Sequence, residues 1–166
     1  MNLFAALCVL AVATFLGYAR SYAFSARVAA LSAFIEEVPQ LLLRMDYETL
    51  PLNRLAASLA GRETILAKFW SEFGRALSDQ SAEDAWIAAL AKRAPYGMTS
   101  ADNSLMLGMG GALGAADADG RRKTAGHILL EATRQRDLLR EDLTRRGSLH
   151  CTLGLMLGLA AAILVI

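Results

Sequence analysis

The sequence predicts an all-α protein: a six-helix bundle flanked by an N-terminal and a C-terminal transmembrane helix. The 17 Lys and Arg and the 16 Asp and Glu side chains all lie between Arg20 and Arg146, which leaves both ends of the chain uncharged. Between those ends, apolar residues recur at helical spacing, and no stretch alternates with the period of a β-strand. The chain therefore divides into residues 1–19, 20–148 and 149–166, with a polar helical domain between two apolar segments.

The two apolar segments are long enough to cross a bilayer. At about 1.5 Å rise per residue, each forms a helix of roughly 27–29 Å, close to the ~30 Å hydrocarbon core. A chain in lipid must satisfy its own backbone hydrogen bonds, and a helix does so. We therefore expect both 1–19 and 149–166 to be transmembrane helices.

The basic residues predict the orientation of the chain. Arg20 and Arg27 follow the first apolar segment, and Arg145 and Arg146 precede the second, so both pairs face the middle of the chain. The positive-inside rule then places the central domain in the cytosol and both termini outside. Tyr18 and Tyr22 flank Arg20 at the predicted boundary, as is common for aromatic residues at membrane interfaces.

A cleaved signal peptide is the alternative for the N-terminus. The small residues of Ala11-Val12-Ala13 resemble a cleavage site. However, no Lys or Arg precedes the apolar run, and the basic residues follow it. These flanks favour a retained membrane anchor.

The first half of the central domain predicts three helices. Residues 27–44 carry apolar side chains on one face, and Pro39 is expected to kink that helix. Pro51 suits the first turn of a short helix that Gly61 ends. Residues 62–77 then carry a wide apolar stripe. The apolar positions of the three segments are Leu31, Phe34, Ile35, Val38, Leu41 and Leu42, then Leu52, Leu55 and Leu59, then Ile65, Leu66, Phe69, Trp70, Phe73 and Leu77.

Two helix starts in the second half carry a side-chain cap. Ser81 with Asp84 three residues later is a variant of the capping box, and Thr99 with Asp102 is a second one. A break at 95–97, with the sequence Pro-Tyr-Gly, separates the two helices. Their inward-facing residues are predicted to be Trp86 and Leu90, then Leu105, Met106, Met109 and Leu113.

The last helix of the central domain is long. It is predicted to begin near Asp117 or Asp119 and carries Ile128, Ala132, Leu139 and Leu143. No breaker other than Gly147 precedes the second apolar segment, so this helix can continue into it. The first helix of the central domain can likewise continue from segment 1–19.

Charge and motif content exclude several functions. The formal net charge is only +1, whereas a nucleic-acid-binding protein normally has a basic excess. Cys8 and Cys151 lie at depths that differ by more than about 10 Å in the predicted spans, too far apart for a disulfide. The sequence has no phosphate-binding loop and no recognisable nucleophile–histidine pattern. We therefore predict no catalytic residue, no cofactor and no metal site.

Two glycine patterns indicate helix packing. Residues 108–114 contain four glycines and the start of a dinucleotide-binding fingerprint, but no βαβ pattern surrounds it. Close helix–helix approach followed by a turn is the favoured interpretation, with Leu113, Gly114 and Asp117 as candidate interaction or packing residues. Gly154 and Gly158 form a GxxxG pattern that allows contact with another helix, within the chain or between subunits.

Several segments also occur in one order that matches a known family. They are Gly17-Tyr18 with Arg20, Tyr47 with Pro51-Leu52 and Leu55, Ala85-Trp86 after Ser81, residues 110–117 with the sequence Gly-Gly-Ala-Leu-Gly-Ala-Ala-Asp, Leu153-Gly154, and the closing residues 163–166. Together they resemble the stage III sporulation protein AB (SpoIIIAB) family of endospore-forming bacteria over essentially the whole chain.

The resemblance implies a fold and a role. That family is similar to the cytosolic domain of the type II secretion protein GspF, a six-helix bundle. The implied protein is a mother-cell membrane subunit of the channel complex that joins mother cell and forespore. Its implied partners are the sporulation ATPase SpoIIIAA and other channel subunits.

Two other functions remain open on the sequence alone. One is a structural membrane scaffold without an ATPase partner. The other is a membrane enzyme with a metal held by Asp117 and Asp119, although carboxylates at that place more often cap a helix N-terminus.

Overall fold

The computed structural model describes the backbone of residues 2–48, 50–115 and 117–165 and the side chains of 22–48, 50–115 and 117–143. The described backbone forms six helices and no strand, which confirms the predicted all-α class and helix count. The helices are α1 (Asn2–Tyr47), α2 (Leu52–Ala60), α3 (Ala67–Ala76), α4 (Ala82–Arg93), α5 (Ser100–Gly114) and α6 (Ala118–Val165).

The six helices close into a ring. Each helix packs against the next one in the chain, and α6 packs against α1. The apolar faces meet inside this ring, where Phe69, Trp70, Phe73 and Trp86 form an aromatic cluster with ring centroids 4.8–6.3 Å apart. Edge-on aromatic packing adds stability beyond the burial of area alone.

Helix α1 contributes the predicted apolar face to the core. Leu31, Phe34, Val38 and Leu41 are all buried. The helix does not end at Pro39, which lies inside it. Buried side chains on both sides of this proline hold the helix against the bundle, and this packing outweighs the lost backbone hydrogen bond.

Two boundaries differ from the prediction. Pro51 is the N-cap residue of α2 and directly precedes its first turn. Helix α3 begins at Ala67 rather than near residue 62, because residues 62–66 form turns with a hydrogen bond of 2.9 Å from Thr64 N–H to the Arg62 carbonyl. Those turns place Leu66 in the core immediately before α3.

The predicted caps are confirmed. The Ser81 hydroxyl accepts a hydrogen bond of 3.1 Å from the Asp84 amide at the start of α4. At the start of α5, Thr99 and Asp102 form a reciprocal capping box. These local bonds satisfy amides that a helix leaves unpaired at its first turn, so the sequence sets both starts.

Both long helices extend beyond the bundle. The backbones of α1 and α6 continue without a break into 1–19 and 149–166, and α6 passes through Gly147. Among residues 22–48, 50–115 and 117–143, whose side chains the structure describes, no helix has an apolar stretch long enough to cross a membrane. The two predicted spans, with Cys8 and Cys151, lie outside the residues whose side chains the structure describes.

Candidate functional site

Three of the predicted interaction or packing residues lie where α5 ends and α6 begins. Leu113 is buried, Gly114 is the exposed last residue of α5, and Asp117 is exposed directly before α6. Asp117 Oδ1 accepts a hydrogen bond of 2.9 Å from the Gly120 amide. Since that amide would otherwise lack a partner in the first turn, Asp117 caps α6.

Glycines let α5 approach α4 closely. A Cβ atom added at Gly110 would lie 3.0 Å from Cδ1 of Trp86, and one added at Gly114 would lie 3.2 Å from Cβ of Glu83. The intervening Gly111 is more open, with its nearest neighbour at 3.9 Å. The close approach lets the Trp86 indole N–H donate a hydrogen bond of 2.6 Å to the Met106 carbonyl.

Asp117 and Asp119, the carboxylates of the metal hypothesis, belong to the N-terminus of α6. Asp117 accepts the capping bond, and the 97% exposed side chain of Asp119 lies 3.7 Å from Nη1 of Arg122. The described residues contain no group of three or more His, Cys, Asp or Glu side chains placed to hold a metal ion.

An ion-pair cluster joins the C-terminus of α1 to the N-terminus of α6. Asp46 Oδ1 lies 3.1 Å from Nη2 of Arg121, and Asp46 Oδ2 lies 2.8 Å from Nη2 of Arg122. The Arg122 hydrogen bond holds the pKa of Asp46 below its ordinary value, assisted by Arg121 and opposed by partial burial. The hydrogen bond to Asp46 in turn raises the pKa of Arg122. The cluster places the α5–α6 turn and the end of α1 at one end of the bundle.

We call this end the distal end and define it as residues 43–48 and 50 together with 113–115 and 117–122. It exposes large apolar side chains: Leu43 is 59% exposed, Tyr47 78% and Leu50 54%. Leu43 and Tyr47 are one helical turn apart and so lie on the same side of α1. At about 1.5 Å per residue, Tyr47 lies roughly 40 Å along α1 from Arg20.

At the opposite end of the bundle, the loop between α4 and α5 packs on α1. Gly97 has a positive φ of 84°, and a Cβ there would lie 2.6 Å from the Ala23 carbonyl oxygen, so only glycine fits. Arg27 then makes two hydrogen bonds of 2.7 and 2.9 Å to the fully buried Asp102. Burial alone would raise the pKa of Asp102, but the hydrogen bonds from Arg27 and Thr99 together lower it.

Two other carboxylates, Glu37 and Glu72, are buried, and the sequence analysis did not predict their burial. Glu37 is buried and accepts a hydrogen bond from the Trp70 indole N–H. Glu72 lies 2.7 Å from Nη1 of Arg75 and 3.0 Å from Nζ of Lys92. The hydrogen bond from Lys92, supported by the charge of Arg75 and opposed by burial, lowers the pKa of Glu72. Trp70 and Lys92 lie on other helices than the carboxylates they contact, and Arg75 is exposed. Helical periodicity within one segment does not predict these contacts.

The second predicted glycine pattern, GxxxG, lies further along α6. Gly154 and Gly158 lie in α6, but outside the residues whose side chains and contacts the structure describes.

Comparison with known proteins decides the family. The family model described as stage III sporulation protein AB (spore_III_AB) matches residues 2–166. The chain belongs to the stage III sporulation protein AB family. It is therefore a stage III sporulation protein, as the motif order implied.

A solved structure of a stage III sporulation protein AB (SpoIIIAB) has the same fold. The two chains share 17% sequence identity with a TM-score of 0.67, and the match covers 72% of this chain and 97% of that one. At this identity the likeness concerns the fold alone. No curated protein matches the chain.

Proposed function

We propose that this family member is a membrane platform subunit of the channel complex between mother cell and forespore. Segments 1–19 and 149–166 anchor it in the mother-cell membrane, the central domain faces the cytosol, and both termini lie outside. Its bundle couples a secretion-type ATPase, SpoIIIAA, to the other channel subunits. The role is mechanical and uses no catalytic residue, cofactor or metal.

One observation carries this proposal. The two helices that lead to the uncharged ends of the chain, α1 and α6, pack against each other and are joined at the distal end by the Asp46 ion-pair cluster. A force applied at the distal end therefore reaches both ends of the chain through continuous helices rather than through loops. The proposal includes the similarity to the GspF cytosolic domain that the family resemblance implies, and that domain is likewise expected to be a six-helix bundle.

The distal end is the proposed docking surface for the ATPase. It lies roughly 40 Å from the predicted membrane boundary, at about 1.5 Å per residue of α1. Its exposed Tyr47, Leu43 and Leu50 are large apolar side chains that a partner can bury. The α5–α6 turn with Gly114 and Asp117 lies at the same end.

Binding of purified SpoIIIAA to the full-length protein in lipid nanodiscs tests the proposal. Leu50→Ser removes an exposed apolar contact at the distal end and should weaken the affinity about tenfold, which corresponds to about 1.4 kcal/mol. Leu138→Ser is the matched control, because Leu138 is 57% exposed, similar to 54% for Leu50, but lies far from the distal end on α6. It should leave the affinity unchanged.

The result also decides between the coupling role and a scaffold without an ATPase partner. Absence of binding by the unaltered protein to folded, nucleotide-loaded ATPase overturns the coupling role and leaves the scaffold. Unchanged affinity with Leu50→Ser would place the binding surface outside the distal end.

A further inference from the structure

Two exposed tyrosines meet where α1 leaves the bundle. The rings of Tyr22 on α1 and Tyr96 in the α4–α5 loop have centroids 6.0 Å apart. They are 61% and 60% exposed, although they contact each other. The loop is fixed in this place by Gly97 against Ala23 and by the bonds between Arg27 and Asp102.

The position of Tyr22 along α1 sets the height of this pair. Tyr22 comes three residues after the end of segment 1–19 on the same continuous helix, hence about 4–5 Å beyond it. If that segment spans the bilayer, Tyr22 lies in the headgroup layer. Tyr96, which contacts it, lies at the same height, although it is far away in sequence. Tyrosine is enriched in this layer because its ring is apolar and its hydroxyl is polar.

The chain next to Tyr96 is basic. Lys92 and Arg93 end α4 and are exposed. Arg93 lines a surface cleft with Lys68, Arg75 and Glu72. Lys68, Arg75, Lys92 and Arg93 together with Glu72 make a described patch of four cations and one carboxylate, in which Arg75 and Lys92 pair with Glu72, so the patch has a net positive charge. Such a patch complements the negative surface of the cytoplasmic leaflet.

We infer that the α4–α5 loop, with Tyr96 and Arg93 as its contact residues, is a second membrane-binding element that rests on an anionic lipid surface beside α1. This inference rests on the proposed membrane anchoring. It adds a lipid contact made by the bundle itself, which fixes the bundle against the bilayer and thereby orients the distal end.

Fluorescence quenching in vesicles tests the inference on the full-length protein. In a background with Cys8→Ala and Cys151→Ala, a single cysteine replaces exposed Ala94, between Arg93 and the loop, and carries an NBD label. The vesicles contain phosphatidylglycerol and a phosphatidylcholine with a spin label on its headgroup. The label at position 94 should be strongly quenched, whereas a label at Leu50→Cys on the distal end should not be.

Two variants examine the proposed contact residues while leaving Tyr22 and the buried bonds unchanged. Tyr96→Ser and Arg93→Gln should each reduce the quenching at position 94, and added salt or the omission of phosphatidylglycerol should do so as well. Arg54→Gln is the control, since Arg54 is an exposed arginine on α2 outside the patch. It should leave the quenching unchanged.

A third label separates the inference from the proposed function. Thr14→Cys lies in segment 1–19, and a spin label on the lipid acyl chain should quench a label there. Quenching at 14 without quenching at 94 overturns the lipid contact and retains the anchor. No quenching at 14 overturns the anchor, and the lipid contact falls with it. Quenching at 94 that Tyr96→Ser and Arg93→Gln leave unchanged overturns their assignment as contact residues.

Discussion

At the scale of single residues, Asp102 links local and tertiary structure. The same carboxylate accepts the Thr99 amide in the α5 capping box and two bonds from Arg27, 75 residues away. Because it is fully buried, loss of either set of bonds leaves charged or polar groups without partners in the protein interior. Asp102 therefore both caps α5 and attaches α5 to α1.

The lowered pKa of Asp102 predicts a pH dependence of stability. A folded-state pKa below the unfolded value gives stability that is present above the unfolded pKa and is lost as pH falls through the folded one. Asp102→Asn should therefore cost about 2–3 kcal/mol of unfolding free energy near pH 7. The difference should shrink as the pH falls below about 4. Urea unfolding, followed by the fluorescence of the buried tryptophans, measures it.

Arg27→Gln provides the partner variant for the same measurement. It should reduce the pH-dependent part of the stability that Asp102 supplies, because the cation that favours the ionised carboxylate is removed. A difference between unaltered protein and Asp102→Asn that stays constant from pH 7 to pH 3 would contradict this account.

Asp117 has two possible roles that substitutions can separate. Asparagine caps helices as well as aspartate does, so Asp117→Asn should leave the unfolding midpoint unchanged, whereas Asp117→Ala should cost about 1 kcal/mol. If the charge at this turn also contacts a partner, Asp117→Asn should weaken that contact, by about 1.4 kcal/mol for a tenfold loss of affinity, and lower the heat-resistant spore count. Asp79→Asn, at an exposed position of the α3–α4 turn, is the control. A normal spore count with Asp117→Asn would show that Asp117 acts only as a cap.

At the scale of elements, neighbouring glycines of α5 should respond in opposite directions to the same substitution. Gly110→Ala places a methyl group 3.0 Å from the buried Trp86 ring and should destabilise the protein by about 1–3 kcal/mol through overpacking. Gly111→Ala meets nothing closer than 3.9 Å and should stabilise it by up to about 1 kcal/mol through helix propensity. Chemical denaturation of both variants measures the pair, and equal effects would contradict the packing of α5 on α4.

The helices themselves were largely predictable because their starts depend on local chemistry. Ser81 and Thr99 cap α4 and α5 through residues three positions away, and Gly61 follows the end of α2. The start of α3 was wrong because the stripe of apolar residues begins before the helix. Leu66 enters the core from a turn, and periodicity does not distinguish a buried turn residue from a helical one.

The long-range polar contacts were not predictable. Glu36 and Glu37 are adjacent glutamates on one helix, yet Glu36 is exposed whereas Glu37 is buried and accepts a hydrogen bond from the Trp70 indole, 33 residues away. The Asp46 cluster likewise joins residues 75 and 76 positions apart. At the α5–α6 turn, the sequence indicated the glycines and Asp117, but the exposed apolar surface beside them on α1 depends on the ring topology.

At the scale of the whole molecule, ion pairs attach α1 to the rest of the bundle both near its exit and at the distal end. Near its exit from the bundle, Arg27 bonds Asp102 on α5. At the distal end, Asp46 bonds Arg121 and Arg122 on α6. Between them, the apolar face of α1 packs in the core. These attachments make the bundle a rigid body joined to continuous helices, which is the property that mechanical coupling requires.

Continuity of α1 and α6 between the bundle and the apolar segments therefore predicts how the protein responds to insertions. Seven Gly and Ser residues placed after Arg20 and again after Arg146 would interrupt both helices while leaving the bundle and both apolar segments intact. The matched control inserts seven Ala, Glu and Lys residues, which extend each helix by about 10 Å and nearly restore its rotation at 3.6 residues per turn. If the subunit transmits movement, the flexible insert should lower spore formation far more than the helical insert. Membrane fractionation and unfolding midpoints establish that both variants are anchored and folded. Equal spore yields from the two inserts would contradict mechanical coupling and favour a tether whose only task is to hold its partners near the membrane.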